Sequence, residues 1–209
     1  MKRGRFWPVI VAVCMLPLTA FAAERATDTG IIKGTITIAG KPTQDVVVSV
    51  EGVAPEKIKA QIASIKIKKA VMDQRNMKFI PYVLPVLIGT TVEFPNNDTN
   101  WHNLYSKGGA KNFDLGLYPP GKTRSTTFDK TGIVRILCNV HPNMEAFIVV
   151  KEHPYFSAAD KAGNYRIDGV PSGLYRVTVW HPQLGVTESG AELARAGQVL
   201  DINFDLKKK

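Results

Sequence analysis

The chain has 209 residues, of which 44% are hydrophobic, and a formal net charge of +9 at pH 7. Its lysines concentrate in residues 57–69 and at the C-terminus, without the interleaved aromatic residues that nucleic-acid surfaces use for stacking, so we exclude nucleic acid as a partner. The only two cysteines are Cys14 and Cys138, which excludes a disulfide-rich scaffold.

Residues 1–22 have the pattern of a secretory signal peptide. They combine a basic start, an apolar middle and a small-residue end: Lys2, Arg3 and Arg5, then residues 9–18, then Ala20-Phe21-Ala22. The apolar run is shorter than the roughly 20 residues that cross a bilayer, and we expect no membrane span. Cleavage after Ala22 lowers the net charge from +9 to +6, because three basic residues leave with the peptide. We therefore expect a periplasmic monomer that begins with a linker, residues 23–29.

The first predicted strands lie between residues 30 and 60. From Gly30 onward, apolar and polar residues alternate with a period of two, and long helical stripes are absent. This pattern predicts an all-β fold. Ile36 and Ile38 share one face of a first strand, and residues 46–50 return as a second. Residues 55–69 fit either a short helix that begins at Pro55 or a basic crossing segment.

Seven short strands are predicted in the next part of the chain, residues 70–151. They are residues 78–82, 84–88, 91–94, 112–117, 123–128, 133–138 and 146–150, separated by turns rich in glycine, proline and asparagine. Seven strands in about 80 residues are typical of a β-sandwich.

The C-terminal part, residues 152–209, contains strands enough for only half of a second, smaller sandwich. Residues 164–167, 175–179 and 200–206 are its clearest alternating segments. We expect the strands of residues 30–60 to complete it. The predicted organisation is therefore discontinuous, with the 70–151 sandwich inserted in or joined to a domain made from residues 30–60 and 152–209.

Cys138 begins a loop whose residue types indicate a metal site. The loop reads Cys-Asn-Val-His-Pro-Asn-Met over residues 138–144, and His102 lies 36 residues upstream of the cysteine. A buried and inert cysteine would leave the His and Met that follow at steps of three unexplained. A soft thiolate, two imidazoles and a weak thioether are the ligands of copper in electron-transfer sites. The pattern predicts one copper ion held by His102, Cys138, His141 and Met144.

Neighbouring residues are expected to support this site. The side-chain amide of Asn103 would tie the His102 segment to the cysteine loop, although a turn-forming role alone is an equal alternative. Val140, Pro142 and Ala110 would surround the metal with apolar surface, and Pro142 would also stiffen the loop by fixing φ.

These segments resemble the plastocyanin and azurin family of cupredoxins. The resemblance rests on residues 89–94, residues 98–103, Gly132 and residues 138–144. The Cys-x-x-His-Pro-x-Met spacing is similar to that of amicyanin, and residues 72–81 resemble the periplasmic methylamine utilisation proteins of the cupredoxin type. The resemblance implies a Greek-key β-sandwich for residues 70–151. It also implies the same four residues as ligands of a type 1 (blue) copper, with His141 as the edge through which electrons pass.

The flanking segments resemble a different family, the carboxypeptidase regulatory-like or transthyretin-like domain. The resemblance rests on residues 34–50 and 160–179, including Val170-Pro171-Ser172-Gly173. It implies that the second β-sandwich has the fold of that family.

Together these patterns predict a periplasmic carrier of single electrons rather than an enzyme. The His-x-His pairs of multicopper oxidases, a catalytic triad and a persuasive pair of acids are all missing from the sequence. The expected partner is an acidic redox protein, a cytochrome c or a dehydrogenase, since opposite charge steers association. Two alternatives remain open: a copper-handling protein, and a non-redox interaction module with a structural copper. His153 and His181 are expected to be structural. Met72 and Met77 are candidates to assist copper handling, but their spacing is typical of strand residues and favours a core role.

Overall fold

The structure is a computed structural model that describes residues 28–66 and 69–207. The predicted signal peptide, residues 1–22, lies outside the described residues, as does most of the predicted linker. No helix in the described part of the chain has the length and apolar character needed to cross a membrane.

The described residues form many β-strands and one short helix, which confirms the predicted all-β fold. In chain order the elements are β1 (Thr29–Ile38), β2 (Lys41–Pro42), β3 (Val47–Glu51), α1 (Pro55–Ser64), β4 (Ala70–Val71), β5 (Asp73–Arg75), β6 (Lys78–Ile80), β7 (Val83–Leu87), β8 (Thr90–Pro95), β9 (His102–Ser106), β10 (Phe113–Tyr118), β11 (Thr123–Phe128), β12 (Gly132–Cys138), β13 (Glu145–Lys151), β14 (Phe156–Ala158), β15 (Asn164–Pro171), β16 (Gly173–His181), β17 (Gly185–Leu193), β18 (Val199–Asp201) and β19 (Phe204–Leu206).

One sandwich is built from the two ends of the described chain. Strand β1 pairs antiparallel with β15 and β2 and parallel with β18 and β19, while a second sheet has the order β14-β3-β16-β17. Alternate residues of these strands point inward, among them Ile32, Ile36 and Val177, and they form one apolar core. Among the described strands, none before residue 52 pairs with a strand of residues 70–151.

The other sandwich comprises residues 70–151. A sheet of order β10-β9-β12-β13-β7 packs on a sheet of order β11-β8-β4, and the hairpin β5-β6 lies beside them. Phe94, Phe128, Ile136 and Ile148 are fully buried between the sheets. The central pairing of β9 with β12 sets Cys138 opposite Leu104, two residues from His102. This register brings the two predicted ligands to the same end of the sandwich.

Several elements differ from the expectations. Residues 55–64 form the helix α1, the first of the two alternatives. The sequence did not predict β9, because His102-Asn103-Leu104 is buried at successive positions and so lacks alternation. It also missed β17, whose sequence GVTESGAEL carries almost no apolar pattern because one face and one edge of the strand meet solvent.

The two sandwiches meet through a small apolar cluster and an ion pair. Val47, Val83 and Val149 pack together, with Phe147 and Trp180 in edge-to-face contact at 5.6 Å between ring centroids. Beside them Lys151 Nζ on β13 lies 2.6 Å from Glu51 Oε1 on β3. The contact therefore joins a strand of each sandwich.

The Glu51 carboxylate is held in its charged form by its surroundings. The His153 imidazole, whose Nε2 lies 3.6 Å from Glu51 Oε2, and donors from Lys151 and Ser49 outweigh the effect of burial. They hold the pKa of Glu51 well below its ordinary value. A depressed carboxyl pKa stabilises the fold at neutral pH, and that stability is lost as the pH falls from the unfolded-state value towards the folded one.

We therefore expect Glu51→Gln to lower the free energy of unfolding by about 2 kcal/mol at pH 7, since a half-buried lysine loses its partner. Between pH 7 and pH 3 the variant should lose less stability than the natural protein. Denaturant unfolding at both pH values measures this. Asp129→Asn, which alters the exposed pair with Lys111, serves as the control. Equal pH dependence in the natural protein and the Glu51 variant would contradict the assignment.

Candidate metal centre

Three of the four predicted ligands present their donor atoms to one point. His102 Nδ1 and His141 Nδ1 lie 3.1 Å apart, and Cys138 Sγ lies 3.7 Å from the first and 3.6 Å from the second. Atoms that share a metal at about 2.0–2.3 Å are separated from one another by about 3–4 Å. These three residues are the group of possible metal ligands found in the described part of the chain.

The ligand loop is closed by its own backbone. The Cys138 N–H donates to the Met144 carbonyl at 3.2 Å, and the Met144 N–H donates to the His141 carbonyl at 2.9 Å. These bonds curl residues 138–144 into one turn at the end of β12. The loop thereby keeps Cys138 and His141 on the same side, as the spacing in steps of three predicted.

The ligands differ in their access to solvent. His102 is fully buried, and Cys138 and Met144 are almost so, whereas His141 is partly exposed. Met144 packs in the same core cluster as Cys138. Burial lowers the pKa of His102, which favours the neutral imidazole that a metal requires.

Asp98 is a candidate functional residue that the sequence did not reveal. Its Oδ2 lies 3.2 Å from His102 Nε2, and the side chain is only 5% exposed. Because an ionised carboxylate only accepts, Nε2 carries the proton and the Nδ1 lone pair faces Cys138 and His141. Carboxylate partners of this kind fix the orientation of metal-binding histidines. The signal available in the sequence was an acidic residue four positions before a predicted ligand.

The Asp98 carboxylate is itself held by backbone donors. The Met77 N–H donates to Oδ2 at 2.6 Å and the Thr99 N–H to Oδ1 at 2.7 Å. Burial acts to raise the pKa of Asp98, but these donors and His102 outweigh it and lower the pKa to about 2. The carboxylate is therefore charged throughout the physiological range, and it links the β5-β6 hairpin to His102.

The predicted contact of the Asn103 side chain was wrong. Its Nδ2 donates to Asp114 Oδ1 at 2.7 Å on β10, and its buried Oδ1 has no hydrogen-bond partner. The link to the cysteine loop is made instead by the backbone, because the Asn139 N–H donates to the Asn103 carbonyl at 3.1 Å. Asn103 thus joins β9 to both neighbours, but by different groups than expected.

The predicted surroundings are only partly in place. Val140 and Pro142 lie in the ligand loop as expected, and both are exposed. Ala110 is at the opposite end of the sandwich, where its N–H donates to the Ile133 carbonyl near the start of β12. The expectation for Ala110 was therefore wrong.

Exposed apolar side chains form a collar at the end of the sandwich that carries the predicted ligands. We define the collar as Trp101, Leu117 and Val140, each about half exposed, together with Pro142. Trp101 precedes a ligand, and Leu117 lies on β10 opposite Asn103. His141 is partly exposed at the same end of the sandwich, where Lys78 lines a cleft beside it.

The remaining histidines, and the methionines other than Met144, lie outside the group of converging donor atoms. His153 is buried near Glu51, and His181 Nδ1 accepts from the backbone N–H groups of Gln183 and Leu184. Met72 is a core residue, as predicted. Met77 is not, since it is 53% exposed at the tip of the β5-β6 hairpin.

Comparisons with known proteins give likenesses to solved structures of copper proteins. A purple cupredoxin from Nitrosopumilus maritimus is 22% identical, with 40% of this chain and 100% of that chain covered and a TM-score of 0.38. A reduced Cu(I) amicyanin variant is 23% identical, with 50% of this chain and 98% of that chain covered and a TM-score of 0.38. A copper-containing nitrite reductase from Thermus scotoductus SA-01 is 27% identical, with 42% of this chain and 23% of that chain covered and a TM-score of 0.39. No protein-family model and no curated protein matches the chain.

Proposed function

We propose that this protein is a type 1 copper protein that carries single electrons in the periplasm. The observation that carries the proposal is the convergence of one buried cysteine sulfur and two imidazole nitrogens within 3.1–3.7 Å. His102, Cys138 and His141 would hold the copper ion, and the Met144 thioether would serve as a fourth, weaker ligand. When bound, copper supplies one-electron chemistry between its two oxidation states.

The residues around the ligands favour a site that changes little between oxidation states. Asp98 orients His102, and the backbone bonds within residues 138–144 fix Cys138 relative to His141. Pro142 adds rigidity because its ring fixes φ. Small rearrangement of the ligands lowers the barrier to electron transfer, so this support suits a redox role better than a purely structural one.

The path for electrons in this proposal runs through the exposed edge of His141. The collar of Trp101, Leu117, Val140 and Pro142 offers exposed apolar surface at the same end of the sandwich for a redox partner to cover. The net charge of +6 that remains after removal of residues 1–22 favours an acidic partner, a cytochrome c or a dehydrogenase. In this role the protein is a monomeric carrier and performs no catalysis of its own.

The second sandwich is assigned to the carboxypeptidase regulatory-like family within the same proposal. The support is that β1 and β3 pair with strands after residue 155, which makes one sandwich from two distant segments. Its part in the carrier is to hold the copper sandwich through β3, β13 and the Lys151 to Glu51 ion pair.

Voltammetry of the copper-loaded protein, from which residues 1–22 have been removed, tests the proposal. We expect a reversible one-electron couple, with colour that disappears on reduction and returns on oxidation. A protein loaded with redox-inactive zinc is the control. A silent electrode response, together with rapid loss of copper to a chelator, would contradict the carrier and favour copper handling.

A further inference from the structure

The cleft beside the ligand loop points to a second role for this end of the molecule, in taking up copper. We propose that Met77 is a transient Cu(I) ligand through which the ion passes on its way to His102, Cys138, His141 and Met144. This inference rests on the proposed function, because it needs a resident copper centre at those residues.

The burial of the ligands restricts the route by which an ion can arrive. His102, Cys138 and Met144 are at most 4% exposed, and His141 alone among the four reaches solvent. An incoming ion must therefore first meet the side of the loop on which His141 is open. A cleft of about 420 Å³ lies on that side, and its lining includes Met77, His141 and Met144.

Met77 occupies a position at which its side chain is not explained by packing. It is the second residue of the two-residue turn Asn76-Met77, with φ of 53° and 54° at the two positions. Turns of this kind take glycine at the second position, because a side chain is strained at positive φ. The side chain is nevertheless present and 53% exposed. Strained residues that persist at such places mark functional sites.

The chemistry of the cleft suits Cu(I) rather than a hard cation. A thioether is a soft ligand that selects Cu(I), and imidazole also binds it. Met77, which is 53% exposed, lines the cleft together with the partly exposed His141 and the buried Met144. Lys78 lines the cleft as well, and its charge disfavours a free cation. The ion is therefore expected to arrive on an anionic carrier, and the transfer is a ligand exchange in which copper stays Cu(I).

Stopped-flow transfer of Cu(I) from its anionic bicinchoninate complex to the metal-free protein measures this role directly. We expect Met77→Leu to slow the transfer about tenfold, since the first soft ligand is missing while the size of the side chain is kept. The copper affinity and the visible spectrum of the oxidised protein should not change, because the Met77 N–H that donates to Asp98 Oδ2 belongs to the backbone and is kept in the variant. Release of Cu(I) from Met77→Leu to excess bicinchoninate should slow by the same factor. The reason is that an unchanged copper affinity fixes the ratio of the uptake rate to the release rate.

Met72→Leu is the matched control, since it removes a buried thioether from the same sandwich. Met72→Leu should take up Cu(I) at the same rate as the natural protein. Equal loading rates for Met77→Leu and the natural protein would overturn the inference. A changed affinity or spectrum in Met77→Leu would also overturn it, because the substitution would then act on the resident site, either directly or through Asp98. If the natural protein itself takes up no copper, both the proposed function and the inference fail. If the natural protein forms the copper centre and Met77→Leu takes up Cu(I) at the same rate, only the inference fails.

Discussion

Replacing Cys138 with serine is expected to abolish the intense visible absorption of the copper-loaded protein. The absorption of trigonal copper sites arises from charge transfer between the thiolate sulfur and Cu(II), and a serine hydroxyl offers no such orbital. Cys138 Sγ is the sulfur that faces both imidazoles, at 3.6 and 3.7 Å. The loss should be complete rather than partial, because Met144 is a thioether and cannot replace a thiolate.

The measurement is an absorption spectrum of each protein after loading with one equivalent of Cu(II). Ser106→Ala provides a matched control, because Ser106 is also buried, lies on the strand of His102 and has no partner for its hydroxyl. We expect that control to keep the full spectrum. An unchanged intense band in Cys138→Ser would show that the cysteine is not the ligand that defines the site.

Asp98→Asn is expected to weaken copper binding by about 10- to 100-fold, or about 1.4–2.7 kcal/mol. The substitution keeps the shape of the side chain but removes the charge that faces the Nε2–H of His102 at 3.2 Å. Without that charge the imidazole is a poorer ligand, and its orientation is less strongly fixed. The backbone N–H groups of Met77 and Thr99 also lose a charged acceptor.

Competition with a chelator of known affinity measures the effect. Nitrogen NMR of the metal-free protein gives a second readout, because the carboxylate should hold the proton of His102 on Nε2. Asp129→Asn is the control, since Asp129 is exposed and pairs with Lys111 at the surface. If Asp98→Asn binds copper within twofold of the natural affinity and His102 keeps the same tautomer, Asp98 does not orient His102 for metal binding.

The ligand loop could be predicted from the sequence because its candidate ligands are close together in the chain. Cys138, His141 and Met144 stand at steps of three, and any turn that closes residues 138–144 brings their side chains to one side. His102 could be chosen because a second imidazole had to come from a nearby strand end. Its position in a strand was not visible, since β9 is buried on both faces and shows no alternation.

Other parts depend on contacts that no local pattern encodes. Asp98 reaches His102 only because the turn before β9 folds back and the Met77 backbone binds the same carboxylate. Ala110 was misplaced because it is close in the chain to His102, yet the chain has crossed to the other end of the sandwich by that residue. Glu51 and Lys151 lie 100 residues apart, and only the pairing of β3 with C-terminal strands brings them together.

X-ray absorption spectroscopy of the copper-loaded natural protein tests the central claim most directly, since it reports the atoms bound to the metal. We expect one short bond to sulfur and two bonds to imidazole nitrogen in the nearest shell. A nearest shell made only of nitrogen and oxygen would contradict it, because the buried cysteine would then take no part in holding the ion.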